Sequence, residues 1–149
     1  MKFSSLLEKT SGKAVFAEVS GILGAVVKTM VSEDISAVVV TDGDKHIGML
    51  TRSDILRTWM EKSAADKKPV LVRDVMTRRL ISATTEDDVA PVVQTMEKAG
   101  IGHLPVYDRQ ELVAVLPLTE ILSHQVVALT DENRVLGQYI HDLRDAIHD

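Results

Sequence analysis

The sequence predicts an α/β (α+β) fold, with two β-α-β-β-α units packed about a pseudo-twofold axis and a C-terminal helix after them. Three observations lead there. First, sliding the chain on itself by 66 residues aligns 14–56 with 80–122 without a gap. Identical pairs include Ala17/Ala83, Val26/Val92, Val27/Val93, Met30/Met96, Ile35/Ile101, Val40/Val106, Leu50/Leu116 and Ile55/Ile121. These are apolar residues at helix or strand spacing, so both halves share one core pattern. Second, a unit of about 60 residues has too little core to be secure alone. The two copies should therefore pack on each other and leave two related clefts between them. Third, the 149 residues are 45% hydrophobic and 26% charged, which is an ordinary globular composition.

In the first unit, Ala14-Val15-Phe16 reads as a short strand, and Leu23, Val26, Val27, Met30 and Val31 form a helical stripe. Asp34 stands where a left-handed residue should end that helix, and the second unit has Gly100 there. Ser36 to Thr41 is a β-branched run, Asp42 to Lys45 a turn, and His46 to Leu50 the next strand. A helix follows Thr51 to about Lys62. The small, polar, proline-ended stretch 63–70 is the linker between a first unit at 1–62 and a second at 71–129. Leu71 to Thr77 makes a helical turn, and Leu80 to Ala83 the first strand of the second copy. Its first helix starts near Asp88, which puts Pro91 in the first turn, where no N–H is needed. Gly102–Tyr107 and Leu112–Leu116 are its paired strands, with a helix from about Leu118.

Residues 130–149 lie outside the repeat. Leu136, Tyr139, Ile140, Leu143 and Ile147 recur at helical spacing, with Asp142, Arg144 and Asp145 on the other side. Thr130-Asp131 either caps a fresh helix or lies within one running on from Leu118. Such a stripe must be buried, on its own core or on a partner chain.

The chemistry concentrates at Gly48-Met49-Leu50-Thr51-Arg52-Ser53-Asp54, where a strand ends and a helix begins. Glycine allows close approach to the backbone, a hydroxyl faces free helix N–H groups, and a carboxylate follows one turn later. Phosphate on the N–H groups and hydroxyl, with a ribose diol on the carboxylate, fits that pattern. So does a plain helix cap by Thr51 or Ser53, with Asp54 favouring the first turn.

The tandem repeat, Val72-Arg73-Asp74-Val75-Met76-Thr77, Gly100-Ile101-Gly102-His103-Leu104-Pro105-Val106 and Gly48…Thr51…Asp54 together resemble a pair of CBS domains, a Bateman module standing alone. The resemblance covers about residues 1–129. It implies a disc with clefts for AMP, ADP, ATP, S-adenosylmethionine or a related adenosine ligand. It also implies a regulatory role rather than catalysis, and association as a homodimer. By that resemblance Thr51 would bond a phosphate or ribose oxygen and Asp54 both ribose hydroxyls. Met49 would lie along the nucleoside, Ile101 would line the base pocket, and His103 would approach the phosphates. Plain core is the other reading for Met49 and Ile101, and a capped strand-entry histidine for His103. Opposite Gly48, Thr51 and Asp54 stand Ala114, Pro117 and Glu120. Pro117 offers neither hydroxyl nor N–H, so the second cleft should bind weakly or stay empty.

Other chemistry is poorly supported. The absence of cysteine excludes disulfides, thiolate metal sites and a Cys nucleophile, and fits a reducing cytoplasm. No apolar run approaches the roughly 18 residues of a membrane span, and no signal-peptide pattern appears. A net charge of −5 argues against a general nucleic-acid binder, and Arg73, Arg78 and Arg79 read as solvated surface. His141, Asp145 and His148 share a helix face, but an exposed His/Asp face is usually only solvated, so no metal is expected. No nucleophile motif or dinucleotide fingerprint occurs.

Overall fold

The computed structural model describes residues 1–10, 12–61 and 68–148. Element order is α1 (Phe3–Leu7), β1 (Phe16–Glu18), α2 (Leu23–Ser32), β2 (Ala37–Asp42), β3 (Lys45–Thr51) and α3 (Arg52–Glu61). Then come α4 (Val72–Val75), β4 (Ala83–Thr84), α5 (Val89–Ala99), β5 (His103–Asp108), β6 (Glu111–Pro117) and α6 (Leu118–His148). Two three-stranded sheets result, β1-β2-β3 and β4-β5-β6, each with a parallel pair followed by an antiparallel one. Each antiparallel pair even carries its register shift at the matching place, Val40/Thr41 and Val106/Tyr107.

The first strand of each half lies later than the sequence suggests. β1 is Phe16–Glu18 rather than 14–16, and β4 is Ala83–Thr84 rather than 80–83. Leu80 and Ile81 are apolar because they pack against the cores from outside the ladder, and Val15, packed likewise, only lends its carbonyl to the Val39 N–H where β1 begins. The helix ends agree with expectation. Asp34 at φ 53° and Gly100 at φ 68° are both left-handed, and the N–H groups of Ile35 and Ile101 reach back to the carbonyls of Met30 and Met96. α3 ends at Glu61; Lys62 and most of the linker, 62–67, lie outside the described residues.

The packing crosses the halves. α1 seats Phe3 and Leu6, both fully buried, in the core of the second sheet with Val89, Met96, Leu104, Leu116 and Ile121. α4 seats Val72 and Val75 in the core of the first with Leu23, Met30, Val38, Val40 and Leu50. Each lead-in helix therefore serves the other repeat, which ties the halves together. Between them a third cluster joins Ala37, Val39, Met49 and Val115. Full burial of a Val, Leu or Phe side chain contributes about 1.5–3 kcal/mol, so these exchanged helices matter to stability.

The C-terminal alternatives resolve into one continuous helix, Leu118–His148. Its apolar stripe is not folded back: Leu136, Tyr139, Ile140, Leu143 and Ile147 are all exposed. Among the described residues no helix is long and apolar enough to cross a membrane.

Candidate functional site

β3 runs directly into α3, and Thr51 and Asp54 hold the junction. The Thr51 N–H donates to Asp54 Oδ2 at 3.0 Å, and the Asp54 N–H donates to Thr51 Oγ1 at 3.3 Å. That reciprocal pair is a capping box, so the plain helix-cap reading holds for both residues. It does not exhaust the carboxylate. Asp54 Oδ1 also accepts from Thr77 Oγ1 at 3.0 Å and lies 3.5 Å from Arg57 Nη1, while the residue is only 4% exposed.

Thr77 comes from the lead-in of the second repeat. It pairs with Met49 through two backbone bonds, Met49 N–H to the Thr77 carbonyl at 2.9 Å and Thr77 N–H to the Met49 carbonyl at 2.8 Å. Gly48 permits this. A Cβ built at Gly48 would lie 2.5 Å from the Thr77 carbonyl oxygen. The close approach expected of Gly48 is therefore made by the protein's own backbone, and Gly48 stands behind the cleft rather than in its wall.

The cleft itself has a volume of ≈ 320 Å³. Met49, Thr51 and Asp54 line it from the first repeat, Ile101 and His103 from the second. Five of the six residues singled out from sequence thus line one cleft. Thr77, Arg57 and Arg79 join them and were missed. Arg79 is exposed, as its charge suggests, yet it lines this cleft rather than plain solvated surface. A signal existed, since the 66-residue offset sets the basic Lys13 opposite it, just outside the ungapped block.

His103 is half-buried, and its Nε2 lies 3.0 Å from Ser36 Oγ. Burial, reinforced by the Arg52 guanidinium and opposed by Asp54, holds its pKa below the ordinary 6.5. The ring is therefore neutral at pH 7, and one ring nitrogen carries a proton to donate. The side chain facing the cleft is an uncharged donor rather than the imidazolium a bound phosphate would favour.

The second cleft is smaller, ≈ 240 Å³, and is lined by Lys13, Glu33, Asp34, Ser36, Pro117 and Glu120 among others. Ala114 does not line it. A Cβ built on Gly12 would lie 3.5 Å from Ala114 Cβ and 3.3 Å from the Val115 carbonyl oxygen. The lead-in before the first repeat therefore supplies the glycine that the strand lacks.

On the terminal helix, His141 Nε2 lies 3.3 Å from Asp145 Oδ2; the side chain of His148 lies outside the described residues. Among the described residues no group of three His, Asp or Glu could hold a metal ion.

The sequence model of the CBS domain matches twice, at 13–61 and 72–127. The chain belongs to the CBS domain family. Uncharacterized protein MJ1225 of Methanocaldococcus jannaschii is 28% identical over 98 residues, covering 65% of this chain and 34% of that protein. CBS domain-containing protein CBSCBSPB2 of Arabidopsis thaliana is 30% identical over 96 residues, 64% of this chain and 18% of that one. The CBS pair thus spans less than half the length of these curated relatives. Among solved structures, the CBS-domain protein ATU1752 of Agrobacterium tumefaciens superposes with a TM-score of 0.73 at 21% identity, covering 84% of this chain and 99% of that one. The CBS domain pair of protein MJ0100, in complex with 5′-methylthioadenosine and S-adenosyl-L-methionine, superposes at 0.71 with 20% identity, covering 86% and 98%. At these identities the likeness establishes the fold, two tandem CBS repeats followed by a helix.

Proposed function

We propose that this CBS pair is a non-catalytic regulatory module that binds an adenosine-containing ligand in the first cleft. The observation that carries the reading is the meeting, in that one cleft, of three hydroxyls, a buried carboxylate, two guanidinium groups and a neutral imidazole with the apolar side chains of Met49 and Ile101. A ribose diol needs acceptors, a phosphate needs cations and donors, and a base needs apolar surface. Arg57 and Arg79 outnumber Asp54, which favours phosphate-bearing AMP, ADP or ATP over the sulfonium of S-adenosylmethionine. That a solved CBS pair, protein MJ0100, carries 5′-methylthioadenosine and S-adenosyl-L-methionine supports the adenosine class. Binding between the repeats alters their relation only insofar as the ligand prefers one arrangement.

Isothermal titration of the full chain against AMP, ADP, ATP and S-adenosylmethionine tests this. One nucleotide per chain is expected, weakened about 10-fold or more in Asp54→Ala, since a hydrogen bond to a charged group contributes about 1.5–3 kcal/mol. Failure of all four ligands to bind would sink it.

A second reading, a ligand-free scaffold for protein association, is favoured by one observation: Asp54 already holds partners within its own chain. It expects Asp54→Ala to lower stability while leaving self-association intact, and a monomeric wild-type chain in light scattering contradicts it.

A further inference from the structure

Helix α6 continues far past the second repeat. Its 31 residues at about 1.5 Å each make a rod of about 46 Å. The residues along one side follow a strict alternation of four- and three-residue steps: Leu122, Val126, Leu129, Asn133, Leu136, Ile140, Leu143, Ile147. This is a heptad with leucine at every d position and Val, Asn, Ile, Ile at a. Leu122 packs against the core of the second repeat. From Leu129 onward the seam leaves the globule, and its apolar members are 44–78% exposed. An apolar repeat of 3.5 residues is the signature of helices that supercoil on a like helix, whereas a helix lying on a globular core shows a broader face of period 3.6.

We infer that α6 is one strand of a parallel, in-register, two-stranded coiled coil formed by two copies of this chain. Leucine at d with β-branched residues at a favours two strands over three or four. Asn133 fixes orientation and register. In a parallel pair it meets Asn133 of the partner subunit and each amide satisfies the other. In an antiparallel pair, where a residues pack against d residues, it would be buried against leucine with its amide unpaired. The flanking positions agree. Tyr139 at g faces the partner's Arg144 at e, a ring-on-guanidinium contact, and Glu132 at g faces the partner's Gly137, so no like charges oppose. The outer face carries Arg134, Gln138, His141, Asp142 and Asp145, all exposed, and the Gln138–Asp142 and His141–Asp145 pairs at i, i+4 suit a face turned to solvent. The two CBS globules then stand side by side at the N-terminal end of the rod. Glu120, in the first turn of α6, lines the second cleft, so that cleft sits at the root of the coil.

A competing surface exists on α2 and α3, where Val31, Leu56, Trp59 and Met60 are exposed. The experiment must separate the two. The chain has no cysteine, so single cysteines can be placed without background. Leu143→Cys at d is expected to give a disulfide-linked homodimer on mild oxidation, whereas Gln138→Cys on the outer face gives none. Leu136→Asp/Ile140→Asp is expected to sediment as a monomer while retaining the thermal transition of the globule. Trp59→Asp is expected to remain dimeric. A monomeric wild-type chain, a dimer that survives Leu136→Asp/Ile140→Asp, or a dimer whose Leu143→Cys form does not cross-link would each overturn the proposal. None of these readings involves a ligand, so they stand apart from the fate of the nucleotide reading.

Discussion

Where the first cleft presents Thr51, Asp54, Arg79 and His103, the second presents Pro117, Glu120, Lys13 and Ala37 on the same backbone frame. The second also gains Glu33 and Asp34, where the first has Ala99 and Gly100. One lining sets two guanidinium groups against one carboxylate; the other sets one ammonium against three carboxylates. Duplication of the fold fixed where strand ends and helix starts converge. It did not fix the field at that point. Like charges gathered in a cleft repel an anion, so the second site disfavours phosphate for two separate reasons, missing donors and adverse charge.

The largest expected effect comes from making one cleft resemble the other. Thr51→Pro/Asp54→Glu removes a hydroxyl and an N–H and moves the carboxylate, and Pro117 shows that the backbone tolerates proline at this junction. Nucleotide affinity should fall about 100-fold or more, because two hydrogen bonds to charged groups are lost. The reverse graft, Pro117→Thr/Glu120→Asp, should not create a second site while Glu33 and Asp34 remain. Titration stoichiometry checks both, and a second equivalent of nucleotide in the reverse graft would show that charge is the lesser reason.

The glycine that changed sides gives the next effect. Gly48→Ala drives a Cβ against the Thr77 carbonyl oxygen, a backbone atom that cannot rotate away, and should cost about 1–3 kcal/mol. Gly12→Ala meets Leu116 Cδ2 at 2.8 Å, the end of a flexible side chain, and should cost less. Urea unfolding of both variants measures the difference; equal losses would mean that the two approaches are not distinguished by what they meet.

This pair also marks the limit of what the sequence revealed. The offset of 66 residues exposed the two halves, their sheets and the left-handed helix ends, because apolar spacing and turn chemistry are local. The resemblance to CBS pairs, not the offset, sets Met49, Thr51 and Asp54 across from Ile101 and His103, and all five line one cleft. Spacing along the chain assigns Gly48 to a ligand's approach, because it does not show that residue 77 returns to it. Thr77 escapes the sequence for the same reason, since the lead-in of one repeat seats on the other, whereas Arg79 has a weak signal in Lys13 at the same offset. Asn133 carries no periodic signal of its own, and only the exposed, uninterrupted course of α6 shows it at the centre of a seam.

Asp34→Gly gives a smaller effect of opposite sign. Asp34 holds φ 53° where its counterpart is glycine, and its carboxylate pairs with Arg52 at 2.8 Å on a surface where both groups are largely exposed. Relief of the left-handed strain outweighs an exposed ion pair, so the variant should be more stable by up to about 1 kcal/mol. A clear drop in the thermal midpoint would show that the Arg52 pair is the stronger term.

The smallest effect is a change of slope with pH, and it belongs to one cleft alone because Ala37 stands where the other has His103. The folded pKa of His103 is lowered, so between that value and 6.5 the unfolded chain binds more protons than the folded one. Stability is then fully present above pH 6.5 and declines as pH falls through the interval, levelling once both states are protonated. His103→Gln should flatten that decline relative to wild type in denaturant midpoints taken across the range. A nucleotide phosphate near the ring works in the opposite direction, raising the folded pKa towards its ordinary value. Nucleotide binding should therefore take up protons and tighten as pH falls towards 6, and it should lose that dependence in His103→Gln. An unchanged pH profile in the variant would place the phosphate away from His103, towards Arg57 and Arg79.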